Sequence, residues 1–170
     1  MLLRGLMNIF STGMDSLGAK LHQAGWHATV HNHIAWNELA DALHTAAHQV
    51  QLCGPLVVVG HSLGGDDAIR LSGNLGTRGV EVDMLVTFDP TLLGAVLPGP
   101  RLVVNYFQTT GLWGRQLQPS AGFTGRIENV PVDRGLMANH FTIDKDPVLH
   151  ADVLARITTL AAAGPCVPGI

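Results

Sequence analysis

Short apolar runs alternate along this chain with longer segments in which apolar side chains recur at helical spacing. The runs have the length and composition of buried β-strands and lie at residues 6–10, 26–31, 56–60, 82–88, 101–107 and 126–132. The helical spacing predicts a helix capped by Asp15 or Ser16, helices over residues 36–52 and about 66–75, and a closing helix after Asp146.

Strands that alternate with helices predict a parallel sheet, because each right-handed crossover places its helix on one face of that sheet. We therefore expect the α/β class, as a three-layer α/β/α sandwich with a mostly parallel sheet of about six strands. The 170 residues suit one hydrophobic core, and no internal repeat or linker divides them. Residues 1–170 are predicted to form a single domain.

The main candidate for chemistry is the sequence Gly-His-Ser-Leu-Gly-Gly at residues 60–65, directly after an apolar run. Gly-x-Ser-x-Gly between a strand and a helix is the pattern of a nucleophile elbow, a tight turn that holds a serine hydroxyl above the sheet. Gly60 and Gly64 leave room where the strand and the helix approach each other. The alternative is a glycine-rich turn in which Ser62 only caps the helix.

The same string resembles the elbow of lipases, esterases and thioesterases of the α/β-hydrolase superfamily, here in a minimal form without a cap domain. In that superfamily the nucleophile is followed along the chain by an acid and then by a histidine. Asp89 ends the strand after the elbow strand, and His140 lies between the last strand and the closing helix. The resemblance implies a catalytic triad of Ser62, Asp89 and His140 that works through an acyl-enzyme, with no metal and no organic cofactor.

The acid of this triad has two competitors, Asp133 and Asp144, which both lie near His140 in the sequence. Many α/β-hydrolases carry the acid after the penultimate strand, but residues 108–110 contain none. That absence favours Asp89, which resembles the acid of lipases that carry it one strand earlier.

An oxyanion hole requires two donors aimed at the developing negative charge. The backbone N–H of Leu63 is predicted to be one, because Leu63 directly follows the serine. The second is expected from the loop after the first strand, where we choose the N–H of Ser11, with Phe10 and Thr12 as alternatives.

Four residues are candidates for contact with the substrate: Phe10, His61, Leu92 and Leu93. His61 is next to the serine on the turn. The two leucines begin an apolar stretch at residues 92–97, which either lines an acyl site or packs in the core.

The remaining titratable residues have simpler interpretations. Asp66 and Asp67 are expected to stabilise the first turn of their helix through its dipole, with a polar contact that supports the site as the alternative. His44 and His48 have i, i+4 spacing, but the residues between them lack the glutamate of a zinc protease. They are expected on a solvated helix face, without a metal, and His150 is expected to be exposed on the closing helix.

Charge and composition limit the classes of partner that we expect for this chain. A net charge of −3 gives no electrostatic basis for nucleic-acid binding, and no apolar run reaches the ~20 residues of a transmembrane helix. Residues 1–7 are too short and interrupted for a signal peptide, which slightly favours a cytoplasmic location unless a longer native N-terminus has been removed. Nothing in the sequence indicates an oligomeric state.

We therefore expect a hydrolase of carboxylic esters, acting on a small-molecule or lipid ester. Thioester hydrolysis or acyl transfer by the same triad is the nearest alternative, and a non-catalytic binding domain of the same fold is a more distant one. Without a cap, short to medium acyl chains are the expected substrates. The competing arrangement is a flap formed by residues 108–125, with Trp113 and Phe123 over the pocket.

Overall fold

The computed structural model describes residues 1–6, 11–49, 54–110, 113–133 and 139–163. The helices in these ranges are α1 (Thr12–Gln23), α2 (Trp36–His48), α3 (Leu63–Thr77) and α4 (Pro147–Ala163). The strands are β1 (Leu2–Arg4), β2 (Val30–Asn32), β3 (Val57–His61), β4 (Val82–Phe88), β5 (Ala95–Val96), β6 (Pro100–Phe107), β7 (Gln118–Pro119) and β8 (Arg126–Pro131).

Six of these strands form one sheet in the order β2-β1-β3-β4-β6-β8, and β5 and β7 form a separate small pair. Every neighbouring pair in the large sheet is parallel. The chain runs outward from β1 to β2, and then from β3 to β8 in the other direction. The strand order therefore reverses between β1 and β3, and open parallel sheets bind their ligands at the carboxyl ends of the strands next to such a point.

Two hydrophobic clusters cover the two faces of the sheet. The first unites side chains of α1 and α4 with one set of strand residues, including Leu2, Val59 and Val86. The second unites α2 and α3 with strand residues such as Leu3 and Val58, which point to the opposite face. The predicted α/β class and the sandwich around a parallel six-stranded sheet are confirmed. Within the described ranges, no helix combines the length and the apolar character needed to span a bilayer.

The first strand lies earlier than residues 6–10, where the sequence predicted it. Leu2 and Leu3 are fully buried on opposite faces, and they pair with both β2 and β3, whereas Leu6 is 55% exposed. Residues 7–10 of the predicted strand lie outside the described residues. The prediction was wrong because it weighed the density of apolar side chains and not the pairing available to the first few residues.

The start of α1 also differs from the prediction. The helix begins at Thr12 with Ser11 at the capping position, although Asp15 or Ser16 was expected to cap it. Asp15 instead lies in the first turn and pairs with Arg4 at the end of β1.

His150 is fully buried, so the prediction that it is exposed on the closing helix was wrong. Its Nε2 lies 2.6 Å from the backbone oxygen of Asp144, and its Nδ1 lies 2.9 Å from Lys20 Nζ. Burial lowers the pKa of His150. A neutral imidazole that donates from Nε2 and accepts from the lysine satisfies both contacts.

Candidate active site

Ser62 is the single residue between β3 and α3, and its backbone is in a conformation that residues with a Cβ rarely adopt. Its φ and ψ are 58° and −127°, and such a conformation costs about 1–3 kcal/mol. Its N–H donates to the carbonyl of Phe88 over 2.9 Å, and its carbonyl accepts from Gly65 and Asp66. These bonds hold the turn and leave the hydroxyl free to face the edge of the sheet.

Glycine is required at two positions of the turn, because the backbones of the helix and the sheet approach each other closely there. A Cβ on Gly60 would lie 2.0 Å from the carbonyl oxygen of Gly64, and a Cβ on Gly64 would lie 2.4 Å from that of Leu3. Any side chain at either position would separate the helix from the sheet. The tight strand–turn–helix geometry that the sequence predicted for residues 60–65 is therefore present.

The hydroxyl of Ser62 faces His140. Ser62 Oγ lies 2.9 Å from His140 Nε2, and on the other side of the ring His140 Nδ1 lies 3.5 Å from Asp89 Oδ2. Neither Nδ1 nor Oδ2 has a hydrogen-bond partner in the described part of the chain. The carboxylate can therefore hold the imidazole in the tautomer whose Nε2 accepts the serine proton.

Asp89 is fixed at the end of β4. Its side chain is fully buried, its φ is 46°, and its N–H donates to the carbonyl of Tyr106 over 2.9 Å. Its Oδ1 accepts the N–H of Gln108 over 2.8 Å, which leaves Oδ2 directed at His140. The acid is thus held by the ends of two adjacent strands.

The competing acids are placed differently. Asp144 is also fully buried, but its Oδ2 accepts the N–H of Gly13 and lies 3.9 Å from the Nδ1 of His61. Burial raises the pKa of Asp144 to about 6. Asp133 is exposed just after β8. Of the three acids that the sequence offered, Asp89 is the one whose carboxylate the structure shows facing His140.

His61 connects the two sides of the site. Its Nε2 lies 2.8 Å from the backbone oxygen of His140, and its Nδ1 lies 2.8 Å from Ser11 Oγ, which also accepts the N–H of Gly5. Every donor meets an acceptor only if the serine donates to Nδ1 and Nε2 carries the ring proton. Burial lowers the pKa of His61 to about 4, so this ring is neutral at pH 7.

A cavity of about 470 Å³ opens over Ser62 and His140. Its apolar wall consists of Leu6, Leu92, Trp113 and Phe141, each about half exposed. Trp113 stacks on the ring of His140 with centroids 5.2 Å apart.

Some of the predicted site residues line this cavity and others do not. Ser11, His61, Leu63 and Leu92 line it, while Leu93 packs against the second hydrophobic cluster and is not on the wall. Phe10 lies outside the described residues.

The two candidate donors of the oxyanion hole both reach the cavity. Leu63 is the first residue of α3, so its N–H belongs to the turn whose N–H groups have no acceptor within the helix. Ser11 approaches from the segment after β1, but the contacts described above involve its side chain. The role of its N–H stays a prediction.

Asp66 and Asp67, which follow the elbow, make side-chain contacts in addition to the predicted interaction with the helix dipole. Asp66 is fully buried and accepts hydrogen bonds from the N–H groups of Thr91, Leu92 and Leu93 and from the Thr91 hydroxyl, over 2.8–3.1 Å. Asp67 contacts His33 and Arg70. The polar contact considered as an alternative is therefore present for Asp66, which fixes the loop that follows Asp89.

Sequence reasoning missed three parts of the site. It did not predict the stacking of Trp113 on His140, the presence of Arg115 on the cavity of Ser62, or the position of Phe141 on the wall. Trp113 was considered over the pocket only as part of a flap with Phe123, and it does line the cavity. The only available signal was an aromatic and a basic residue in an irregular segment, which does not indicate a partner. Among the described residues, no group of three or more His, Cys, Asp or Glu side chains is arranged to hold a metal ion.

The contacts around Ser62 permit a nucleophilic reaction. A serine hydroxyl that contacts an imidazole can transfer its proton as it attacks a carbonyl carbon, and a helix N-terminus beside it can stabilise the resulting oxyanion. Comparison of the chain with protein-family models, with curated proteins and with solved structures gives no match. The functional interpretation therefore depends on the geometry of the site.

Proposed function

We propose that this chain is a serine hydrolase of the α/β-hydrolase type that cleaves carboxylic esters through an acyl-enzyme on Ser62. The observation that carries the proposal is the 2.9 Å contact between Ser62 Oγ and His140 Nε2, on a strained turn and with Asp89 behind the histidine. Strain of this kind persists where surrounding structure enforces it, and it concentrates at active sites.

In the acylation step, Ser62 Oγ attacks the ester carbonyl while His140 Nε2 takes its proton. The N–H of Leu63, together with that of Ser11, stabilises the negative charge on the carbonyl oxygen. The bond to the alcohol then breaks, and His140 returns the proton to the leaving oxygen. The acyl group remains bound to Ser62 as an ester.

In the deacylation step, His140 takes a proton from water, whose oxygen attacks the acyl carbon. Collapse of the second tetrahedral intermediate releases the carboxylic acid, and His140 returns the proton to Ser62. Asp89 stabilises the imidazolium that forms in both steps. Side chains and backbone groups of the chain supply all the groups used.

The apolar wall of the cavity indicates where the substrate lies. Large apolar side chains that stay half exposed around one opening are typical of a binding surface. Leu6, Leu92, Trp113 and Phe141 have this character and line the same cavity as Ser62. We therefore place an apolar part of the ester, of small-molecule or lipid origin, against them.

Labelling with a fluorophosphonate probe, followed by mass mapping of the modified residue, tests this proposal. We expect stoichiometric modification of Ser62 in the wild type, with none in Ser62→Ala or after prior denaturation. The matched control is Ser16→Ala, which removes an exposed hydroxyl from α1 and should leave labelling unchanged. A folded wild-type protein that is not labelled at Ser62 would indicate a non-catalytic binding domain.

A further inference from the structure

We propose that the ester cleaved at this site carries an anionic group, a carboxylate or a phosphate, which Arg115 binds at the cavity. This inference rests on the proposed ester hydrolysis and specifies its substrate class. The substrate then has two recognition elements: an apolar portion against the exposed wall, and a negative charge within reach of the guanidinium.

Arg115 differs from the other arginines by having no carboxylate partner in the described part of the chain. Each of the six other arginines described there forms an ion pair with an aspartate or a glutamate, namely Arg4, Arg70, Arg78, Arg101, Arg126 and Arg156. Within the described residues, Arg115, which lines the cavity with Ser62, is thus the arginine without a carboxylate partner.

Among the described residues that line the cavity, Arg115 alone has a permanent charge. The others in this described set are apolar or uncharged polar side chains and the two histidines, and none of them is acidic. A guanidinium presents a planar set of donors that matches the oxygens of a carboxylate or a phosphate. In this apolar surrounding, a substrate anion is the partner that the charge lacks.

The backbone around Arg115 is held in place by the sheet. Asn105, fully buried in β6, donates from Nδ2 to the carbonyl of Arg115 over 2.8 Å and to Asn129 Oδ1 over 2.8 Å. Asn129 in turn accepts the N–H of Leu117 and donates to its carbonyl. Two asparagines in adjacent strands thereby fix the segment, which lowers the entropy lost when the arginine binds a ligand.

This segment also reaches the triad. Trp113, two residues before Arg115, stacks on His140. One short, anchored stretch therefore supplies both a contact to the general base and the unpaired cation. The anion and the scissile ester then belong to the same molecule, and an apolar portion of that molecule joins them along the wall of the cavity.

The test compares mono-p-nitrophenyl glutarate with p-nitrophenyl pentanoate, which differ mainly in a terminal carboxylate. We expect the ratio of their kcat/KM values, anionic over neutral, to fall about tenfold in Arg115→Gln. High salt should reduce the wild-type ratio, because it screens the exposed guanidinium. Arg101→Gln is the charge-matched control: it removes an exposed arginine paired with Glu81 at the start of β6 and should leave the ratio unchanged. An unchanged ratio in Arg115→Gln would overturn the proposal.

A binding measurement separates this proposal from the ester-hydrolase proposal. Ligand-observed NMR with pentanoate, pentyl phosphate and 1-pentanol needs no turnover, because none of these ligands is a carboxylic ester. We expect Arg115→Gln to weaken one or both anions several-fold relative to pentanol, and the tighter anion identifies the carboxylate or the phosphate as the natural group. Equal binding of all three ligands by wild type and variant would overturn the anion site, even if Ser62 is labelled. Absence of labelling with intact anion binding would overturn the hydrolase alone.

Discussion

Asp89 and Asp144 are buried carboxylates near Ser62, and each lies beside a different histidine. Asp89 faces His140, which contacts Ser62, whereas Asp144 lies near His61 and holds the start of α1 through Gly13. His61 contacts His140 through its backbone carbonyl and through a tilted ring pair with centroids 5.1 Å apart, but no hydrogen bond joins the two rings in the described part of the chain. We therefore do not expect Asp144, the acid neighbour of His61, to set the tautomer of His140. The two acids should therefore affect activity and stability differently.

Replacement of Asp89 by asparagine should lower kcat by about 10⁴-fold, since the wrong histidine tautomer then faces the serine. The isosteric control Asp144→Asn should lower kcat far less. Both are measured on a short p-nitrophenyl ester, with thermal unfolding to establish that each variant is folded. A larger loss in Asp144→Asn would transfer the role of the acid to that residue.

The pH dependence of stability contains two opposing contributions. Burial raises the pKa of Asp144 from 3.8 to about 6, so between these values the folded state holds more protons at this group, and stability falls as pH rises. Burial lowers the pKa of His61 from 6.5 to about 4, so the unfolded state holds more protons there, and stability rises with pH. In the wild type the two slopes largely cancel between pH 4 and 6.

In Asp144→Asn the opposing contribution of Asp144 is removed, whereas the contribution of His61 remains and that of His150, whose pKa burial also lowers, is the same as in the wild type. The free energy of unfolding of this variant should rise with pH more steeply than that of the wild type, by on the order of 1 kcal/mol per pH unit between pH 4.5 and 5.5. Urea unfolding at these two pH values measures the slope. The double variant Asp144→Asn with His61→Gln should lose the extra slope, and equal slopes in the wild type and the single variant would contradict the prediction.

At the scale of the elements, the apolar pattern determined most of the fold. Residues 82–88 were predicted as a strand with the bounds that β4 has, because an apolar run between polar turns has few alternatives. The first strand was misplaced, because its three residues form a strand only through pairing with β2 and β3, which local sequence does not encode. The crossover rule predicted that the strands are parallel, but their order in the sheet was not predicted from the sequence.

The same physical reason explains which residues of the site could be predicted from the sequence. Ser62 and Asp89 directly follow β3 and β4, so the parallel sheet brings them to one edge, and His140 lies in the connection between β8 and α4. Trp113 and Arg115 lie in an irregular segment whose path depends on the asparagines of β6 and β8, and such long-range contacts leave no periodic signal.

The loop after β4 is organised by one buried carboxylate of α3. The Asp66 carboxylate accepts hydrogen bonds from N–H groups and from the Thr91 hydroxyl. In Asp66→Asn, the amide N–H₂ would face these donors and could not accept from them. We expect a loss of about 2–3 kcal/mol in the free energy of unfolding, with reduced kcat because this loop follows Asp89. Asp15→Asn, the same change in an exposed ion pair with Arg4, should cost less than about 1 kcal/mol. Equal losses in the two variants, measured by urea unfolding, would argue against this role of Asp66.

At the scale of the whole molecule, the candidate site lies where the direction of strand addition reverses. Ser62 follows β3, and the segment that ends at Ser11 follows the adjacent β1. The helices that follow these strands, α1 and α3, pack on opposite faces of the sheet, which leaves a crevice at its carboxyl edge. Ser62 and Ser11 thus reach one cavity from opposite sides of the reversal.

The openness of this crevice predicts the range of substrates. Affinity for an acyl chain depends on the apolar area that binding removes from water, at roughly 25 cal/mol per Å². The wall residues Leu6, Leu92 and Trp113 remain about half exposed, and Phe123, considered as part of a flap, packs against the second hydrophobic cluster instead. Carbons far from the ester would therefore stay in water, so a longer chain adds little affinity.

Across p-nitrophenyl esters from acetate to palmitate, we expect kcat/KM to be highest for short to medium chains, with no increase in rate above the solubility limit of the substrate. A maximum at palmitate with a sharp increase at that limit would instead indicate a lid that closes over the cavity at a lipid surface.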